Sequence, residues 1–174
     1  SVAFELILSS HYSDGAKVAL CETLAVAARQ MVEGQALDIA AESADQPLTL
    51  SEIENLQALK TGALIRCAVQ TGGLAGNAGD QQIEQLTRYG EAIGLAFQIV
   101  DDLLDETSTT EVLGKSAGAD RIRGKATYPA FFGVEDTKNL ARQAVEQAKQ
   151  ALDGFGSQAI PLVQLADYIY ARTH

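Results

Sequence analysis

Residues 80–105 read DQQIEQLTRYGEAIGLAFQIVDDLLD. Their apolar line, Ile83, Leu86, Gly90, Ile93, Phe97, Val100 and Leu104, recurs at spacings that alternate three and four. Side chains so spaced share one face of an α-helix, so the stretch predicts a helix packed side by side with others. It ends in acids. At 100° per residue, Gln98, Asp101, Asp102 and Asp105 fall within an arc of about 100° that continues the apolar seam. Like charges at i,i+4 repel, and acids at a helix C-terminus oppose the macrodipole, each by roughly a few tenths to 1 kcal/mol. Glu106 adds to both. A solvated acidic face tolerates such a cluster; a bound cation removes the conflict. Carboxylates with nothing soft nearby suit a hard cation that keeps most of its waters, Mg2+ rather than Zn2+. An EF-hand is excluded, because Gly is missing at loop position six and the helical pattern runs through the acids.

Other helices are expected at 1–9, 17–41, 50–73, 130–153 and 159–172. The second follows the turn residues Ser13-Asp14-Gly15, and its apolar line Leu20, Leu24, Ala27, Met31 runs on into Gln35 and Asp38. The third follows the breaker Pro47, with a capping box expected at Ser51 and Glu54. Its line is Ile53, Leu56, Lys60, Ala63, Cys67, with a lysine in the middle. Buried polar groups are costly without partners. Gln35, Asp38 and Lys60 are therefore candidates for a shared polar cavity that also takes in Asp101. Singly, each is also explained by a helix emerging into solvent or a lysine that snorkels. Gly72, Gly73, Gly76 and Gly79 separate the third and fourth helices. They lack the spacing of a dinucleotide fingerprint and follow a helix, not a strand.

After the acids the charge reverses. Residues 115–125 hold Lys115, Arg121, Arg123 and Lys125 against Asp120, punctuated by Gly118 and Gly124 and preceded by Gly114. Acids that hold a metal, followed by a basic loop whose backbone can turn closely, describe a site for metal-bound phosphate. The alternative is a solvated loop with ordinary charge pairing.

Composition sets the outer limits. The 174 residues are long enough for a sizeable core, and 47% hydrophobic content rich in Ala suits packed helices. A net charge of −10 argues against a nucleic-acid or acidic-membrane partner, though not against an anionic small molecule offset by metal ions. No stretch approaches the ~20 apolar residues of a membrane span. The two cysteines, Cys21 and Cys67, lie within apolar helical patterns, so a cytoplasmic location is expected. Ser1–Leu8 enters an apolar pattern at once, as if within a helix of a longer protein.

Several motifs together resemble the trans-polyprenyl diphosphate synthases. Phe97-Gln98-Ile99-Val100-Asp101-Asp102-Leu103-Leu104-Asp105 matches that family's second aspartate-rich motif. Gly114-Lys115 and Gly124-Lys125-Ala126-Thr127-Tyr128-Pro129 match the segment after it. Lys60-Thr61-Gly62-Ala63-Leu64 resembles the Lys-Thr motif, and Gly34-Gln35-Ala36-Leu37-Asp38 the Gly-Gln-x-x-Asp motif. The tail Leu165-Ala166-Asp167-Tyr168-Ile169 is also similar. The wording is most like bacterial farnesyl and geranylgeranyl synthases, that is, short-chain enzymes.

The resemblance implies an all-α antiparallel helix bundle of the isoprenoid synthase type, with 1–174 the C-terminal part of one domain. It implies a magnesium-dependent prenyltransferase that ionises an allylic diphosphate, which isopentenyl diphosphate then attacks before losing a proton. Asp101, Asp102 and Asp105 would bind Mg2+, Asp101 foremost, with Gln98 holding metal-bound water. Lys60 and Lys115 would contact the allylic diphosphate, and Lys125 would close on it from the loop. Thr61 and Gln98 would sit beside the reacting carbons, with Phe97, Gln35 and Asp38 lining the substrate cavity. The usual oligomer is a homodimer. The family also needs a first aspartate-rich motif on an earlier helix, and no second D-D-x-x-D occurs in this sequence. The chain alone is therefore expected to be inactive without its N-terminal segment. Two alternatives remain. A regulatory relative would have lost metal-site residues, whereas the matched positions are intact. A terpene cyclase usually carries an Asn/Ser/Glu-based second motif, unlike Asp101-Asp102-Leu103-Leu104-Asp105.

Overall fold

The computed structural model describes residues 2–43, 46–107 and 126–172, and all regular structure among them is helical. In chain order these are α1 (Val2–Ser9), α2 (Asp14–Glu42), α3 (Leu50–Gln57), a π turn (Ala58–Gly62), α4 (Ala63–Ala75), α5 (Asp80–Thr107), α6 (Tyr128–Phe132) and α7 (Val134–Ala151). A 3-10 turn (Gly156–Ala159) then leads into α8 (Ile160–Ala171). None of these helices is long and apolar enough to cross a membrane.

α5 is the centre. It packs on both α4 and α7, while α2 packs on α4, and α8 packs on α5 and α7. Burial is accordingly wider than a single line. Leu86, Ile93 and Val100 of the predicted stripe are buried, and so are Tyr89, Ala96, Ile99 and Leu103, in one cluster with residues of α7 and α8. α7 answers with Ala141, Ala144, Val145 and Ala148, small residues that let the two helices approach closely. Side-chain bonds fix the last layer. The Tyr89 hydroxyl donates to Leu162 O at 2.9 Å, and Lys149 of α7 pairs with Asp167 of α8 at 2.5 Å.

Glycine sets the spacing of the other layers. A Cβ on Gly34 would lie 2.3 Å from the Lys60 backbone nitrogen, one on Gly90 2.8 Å from Arg66 Cα, and one on Gly94 3.2 Å from Gly62 Cα. α2, the π turn, α4 and α5 therefore touch backbone to backbone. The contacts also fix direction: Gly34 meets residue 60 while Thr23 O accepts from Cys67 Sγ, and Gly94 meets Gly62 while Gly90 meets Arg66. Both pairs run antiparallel.

Three sequence expectations change. The capping box belongs to Thr49 and Glu52, not Ser51 and Glu54: Glu52 N donates to Thr49 Oγ1 at 3.4 Å, and Thr49 N to the Glu52 carboxylate at 2.8 Å. A cap residue must be extended, as Thr49 is at φ −71° and ψ 161°, whereas Ser51 is already inside the helix. The helix expected at 50–73 is one axis interrupted by the π turn, and it runs on to Ala75, so Gly72 and Gly73 are helical. Gly73 is there because Leu86 and Ile83 press onto it. Finally, the helix expected at 130–153 is two, separated by Gly133 at φ 78°, a conformation that glycine adopts without strain. Thr49→Ala should therefore cost about 1 kcal/mol, lowering the melting temperature by roughly 2–4 °C for a chain of this size. Ser51→Ala should leave it unchanged, and a thermal melt of the two variants checks both.

Candidate active site

The antiparallel register brings the last turns of α2, the π turn and the C-terminal half of α5 to one end of the bundle. Most of the polar residues singled out from the sequence gather there. Lys60 lies within the π turn, where an extra residue in the helical ladder re-aims side chains; such turns recur at functional sites. Its Nζ donates to Asp38 Oδ2 at 2.6 Å, joining two helices across the seam. The side chains are 34% and 17% exposed, so the pair lies at the edge of the core and not free in solvent. Gln35 and Thr61, beside Gly34 and Lys60 in the chain, are half-buried. The Lys60 line is otherwise as the spacing predicts, with Ile53, Leu56, Ala63 and Cys67 buried.

On α5, Gln98 is half-buried and borders a cavity of about 80 Å³ shared with Gln57, Gly62, Arg66 and Glu91. The Gln57 Oε1 atom is buried and has no hydrogen-bond partner among the described residues. Arg66, at the cavity wall, is held by Gln30 at 2.8 Å and Glu91 at 3.3 Å.

The three aspartates do not behave alike. Asp101 is the open one, its side chain 63% exposed. Its Oδ1 lies 3.9 Å from an Arg172 nitrogen, and that guanidinium stacks over the Phe97 ring at 5.5 Å. Asp105 is partly buried one turn further on. Asp102 turns elsewhere: its Oδ2 accepts the backbone N–H of Tyr128 at 3.0 Å. The Tyr128 side chain is buried, and desolvation, reinforced by Glu54 and Asp102 nearby, pushes its hydroxyl well above the ordinary phenol range. It stays a neutral group at any physiological pH.

Among the described residues no three acids, histidines or cysteines come together as a ready-made metal site. The donors at this end are nonetheless oxygens only, with Asp101 and Asp105 one turn apart on one helix. That set suits a hard cation that draws its remaining ligands from water and an anionic ligand, not one caged by protein. Lys60 has Asp38 as its ion-pair partner, and Asp101 faces Arg172 instead of the lysine. Lys115, Lys125 and the rest of the basic, glycine-punctuated loop expected at 115–125 lie outside the described residues.

Sequence reasoning missed Arg172 and Tyr128. Arg172 follows an apolar helix near the chain end with no periodic signal to mark it. Tyr128 was visible only as part of a motif, and its amide partner lies 26 residues away.

The family profile described as polyprenyl synthetase matches residues 1–158, and the chain belongs to that family. The chain is 43% identical over 166 residues to the farnesyl diphosphate synthase of Escherichia coli strain K12, covering 92% of this chain and 55% of that protein. Among solved structures it is similar to an FPP/GFPP synthase from Zymomonas mobilis, with a TM-score of 0.85 and 36% identity over 97% of this chain and 56% of the other. It is also similar to a geranyltransferase from Helicobacter pylori, solved with magnesium and isoprenyl diphosphate. There the TM-score is 0.75 and the identity 29%, over 98% of this chain and 55% of the other. The chain spans about half the length of the curated relatives it matches.

Proposed function

We propose that this chain is the C-terminal part of a short-chain trans-polyprenyl diphosphate synthase, which condenses isopentenyl diphosphate with an allylic diphosphate. The observation that carries the reading is the pairing of Lys60 with Asp38 at the bundle end that also presents Asp101 and Asp105. A lysine fixed by a neighbouring acid, at the same end of the bundle as carboxylates able to share a cation, suits a departing diphosphate.

The allylic C–O bond breaks first, leaving a diphosphate polyanion and a carbocation. Lys60 donates to the leaving oxygens, and its partial burial makes its charge count for more than it would in water. Mg2+, held by Asp101 foremost with Asp102 and Asp105, would supply the charge neutralisation that departure of diphosphate needs. Thr61 and Gln98 lie beside the reacting carbons, and Gln35, Asp38 and Phe97 line the approach. Lys115 and Lys125 carry a diphosphate role by motif resemblance. Isopentenyl diphosphate then supplies the electron pair for the new C–C bond, and a proton leaves. The apolar walls exclude the water that would quench the cation. The magnesium in the Helicobacter pylori structure supports the choice of metal. A homodimer in the cytoplasm completes the proposal.

Calorimetric titration of the longer protein with a non-hydrolysable allylic diphosphate tests the metal role. Binding at least about tenfold tighter with Mg2+ is expected, a difference of about 1.4 kcal/mol. Equal affinity with and without Mg2+ would remove it.

A further inference from the structure

We infer that Gln57 is a positioning residue for the transfer reaction: through water held in the cavity beside α5, it fixes which way the Gln98 amide points. Gln57 is the last residue of α3, one step before the π turn. Lys60, three residues on, turns to Asp38 of α2, whereas Gln57 lines the cavity against α5. Two buried side-chain atoms among the described residues have no hydrogen-bond partner, Gln57 Oε1 and the Tyr128 hydroxyl, and of the two residues only Gln57 borders this cavity. A buried carbonyl oxygen is costly unless a donor reaches it.

The wall leaves little choice of donor. Its side-chain N–H groups belong to Gln57 itself, Arg66 and Gln98. Arg66 is drawn to Gln30 of α2 at 2.8 Å and to Glu91 at 3.3 Å. Gln98 remains, half-buried on the same cavity. The space is about 80 Å³, several times the roughly 10–15 Å³ that one water needs, and the carboxylates of Glu54 and Glu91 offer further partners. Water bridging the two amides donates to Gln57 Oε1 and accepts from Gln98 Nε2. The direction then propagates. With its NH2 group engaged in the cavity, Gln98 keeps Oε1 to accept from metal-bound water, the role its motif implies beside Asp101. An acceptor at one end of the bridge thus selects one of the two ways the Gln98 amide can lie.

The catalytic half of this inference rests on the synthase reading; the bridging water does not. Gln57→Leu nearly preserves side-chain volume and removes the acceptor, so a purely packing role predicts unchanged turnover. In the longer protein that carries this chain, Gln57→Leu should instead lower kcat at least about tenfold, with KM within about threefold and the melting temperature within about 2 °C of wild type. Gln57→Asn keeps an amide acceptor in a cavity with room for another water, so its kcat should stay within about threefold of wild type. Added to Gln98→Ala, Gln57→Leu should lower kcat less than about twofold further, because a residue that acts through Gln98 then has nothing to position. Equal kcat in wild type and Gln57→Leu would overturn the proposal, as would the full tenfold loss repeated on top of Gln98→Ala. A crystal structure of the wild-type protein should show water within hydrogen-bond distance of both Gln57 Oε1 and the Gln98 amide, and Gln57→Leu should lose it. A cavity without that water in wild type would also overturn the proposal. If wild type transfers no prenyl group, the synthase reading fails, and the crystal structure still decides the bridge.

Discussion

Residues 1–174 alone, given labelled isopentenyl diphosphate and an allylic diphosphate, are expected to yield no prenyl transfer, while the longer protein yields it. Ionisation needs cations on both sides of the leaving diphosphate, and the acids of this sequence serve one side, since no second D-D-x-x-D is present. Groups that hold the second substrate in line are expected upstream, so orientation is lost together with charge stabilisation. Losing one preorganised donor in such a site costs about 3–4 kcal/mol, and a whole metal cluster costs several times that. The isolated chain should also associate with itself. Helix α1 has no buried residue, and Val2, Leu6, Leu8 and Val18 are each at least 60% exposed. Adding back the upstream segment should restore both turnover and a defined oligomer. Turnover by the 174 residues alone would place the chemistry on groups other than those named above.

Lys60→Ala in the longer protein should have the next largest effect. Loss of a charged donor to the leaving group predicts a fall in kcat of about 10²–10³, or about 3–4 kcal/mol. It also strips Asp38 of its 2.6 Å ion-pair partner, so some loss of stability should accompany the kinetic one. The two are separable. Asp38→Ala breaks the same pair while leaving the ammonium in place, so it should lower kcat less than Lys60→Ala at comparable cost in melting temperature. Equal kcat in wild type and Lys60→Ala, measured on the folded fraction, would reduce the lysine to a structural role.

The shared environment of Lys60 and Asp38 was readable from the chain because each broke an apolar line, and a broken line requires a partner. Their contact bears that out. The π turn was not readable, since the apolar spacing passes through it at threes and fours while the hydrogen bonds shift by one. The capping box was misplaced by two residues because Thr49 with Glu52 and Ser51 with Glu54 satisfy the same pattern, and only backbone dihedrals distinguish them. The second buried face of α5 was hidden for a different reason. Tyr89 carries a hydroxyl and Ala96 is small, so a search for large apolar side chains finds only Ile99 and Leu103 of that face. The roles of the three aspartates could not be separated by spacing alone, because the partner of Asp102 is set by the return of the chain at Tyr128.

The backbone contacts at Gly34, Gly90 and Gly94 also bear on recombination among relatives. They make the three helices a matched set and not interchangeable parts. A chimera that imports a foreign α5 with an alanine at position 90 would bring its Cβ to 2.8 Å from Arg66 Cα, where only a hydrogen atom now fits. It would push α5 outward, carrying Asp101 and Asp105 away from Lys60 without altering a single polar residue. Crossovers placed before α2 or after α5 keep the set whole; crossovers between them exchange one gauge of a three-part fitting.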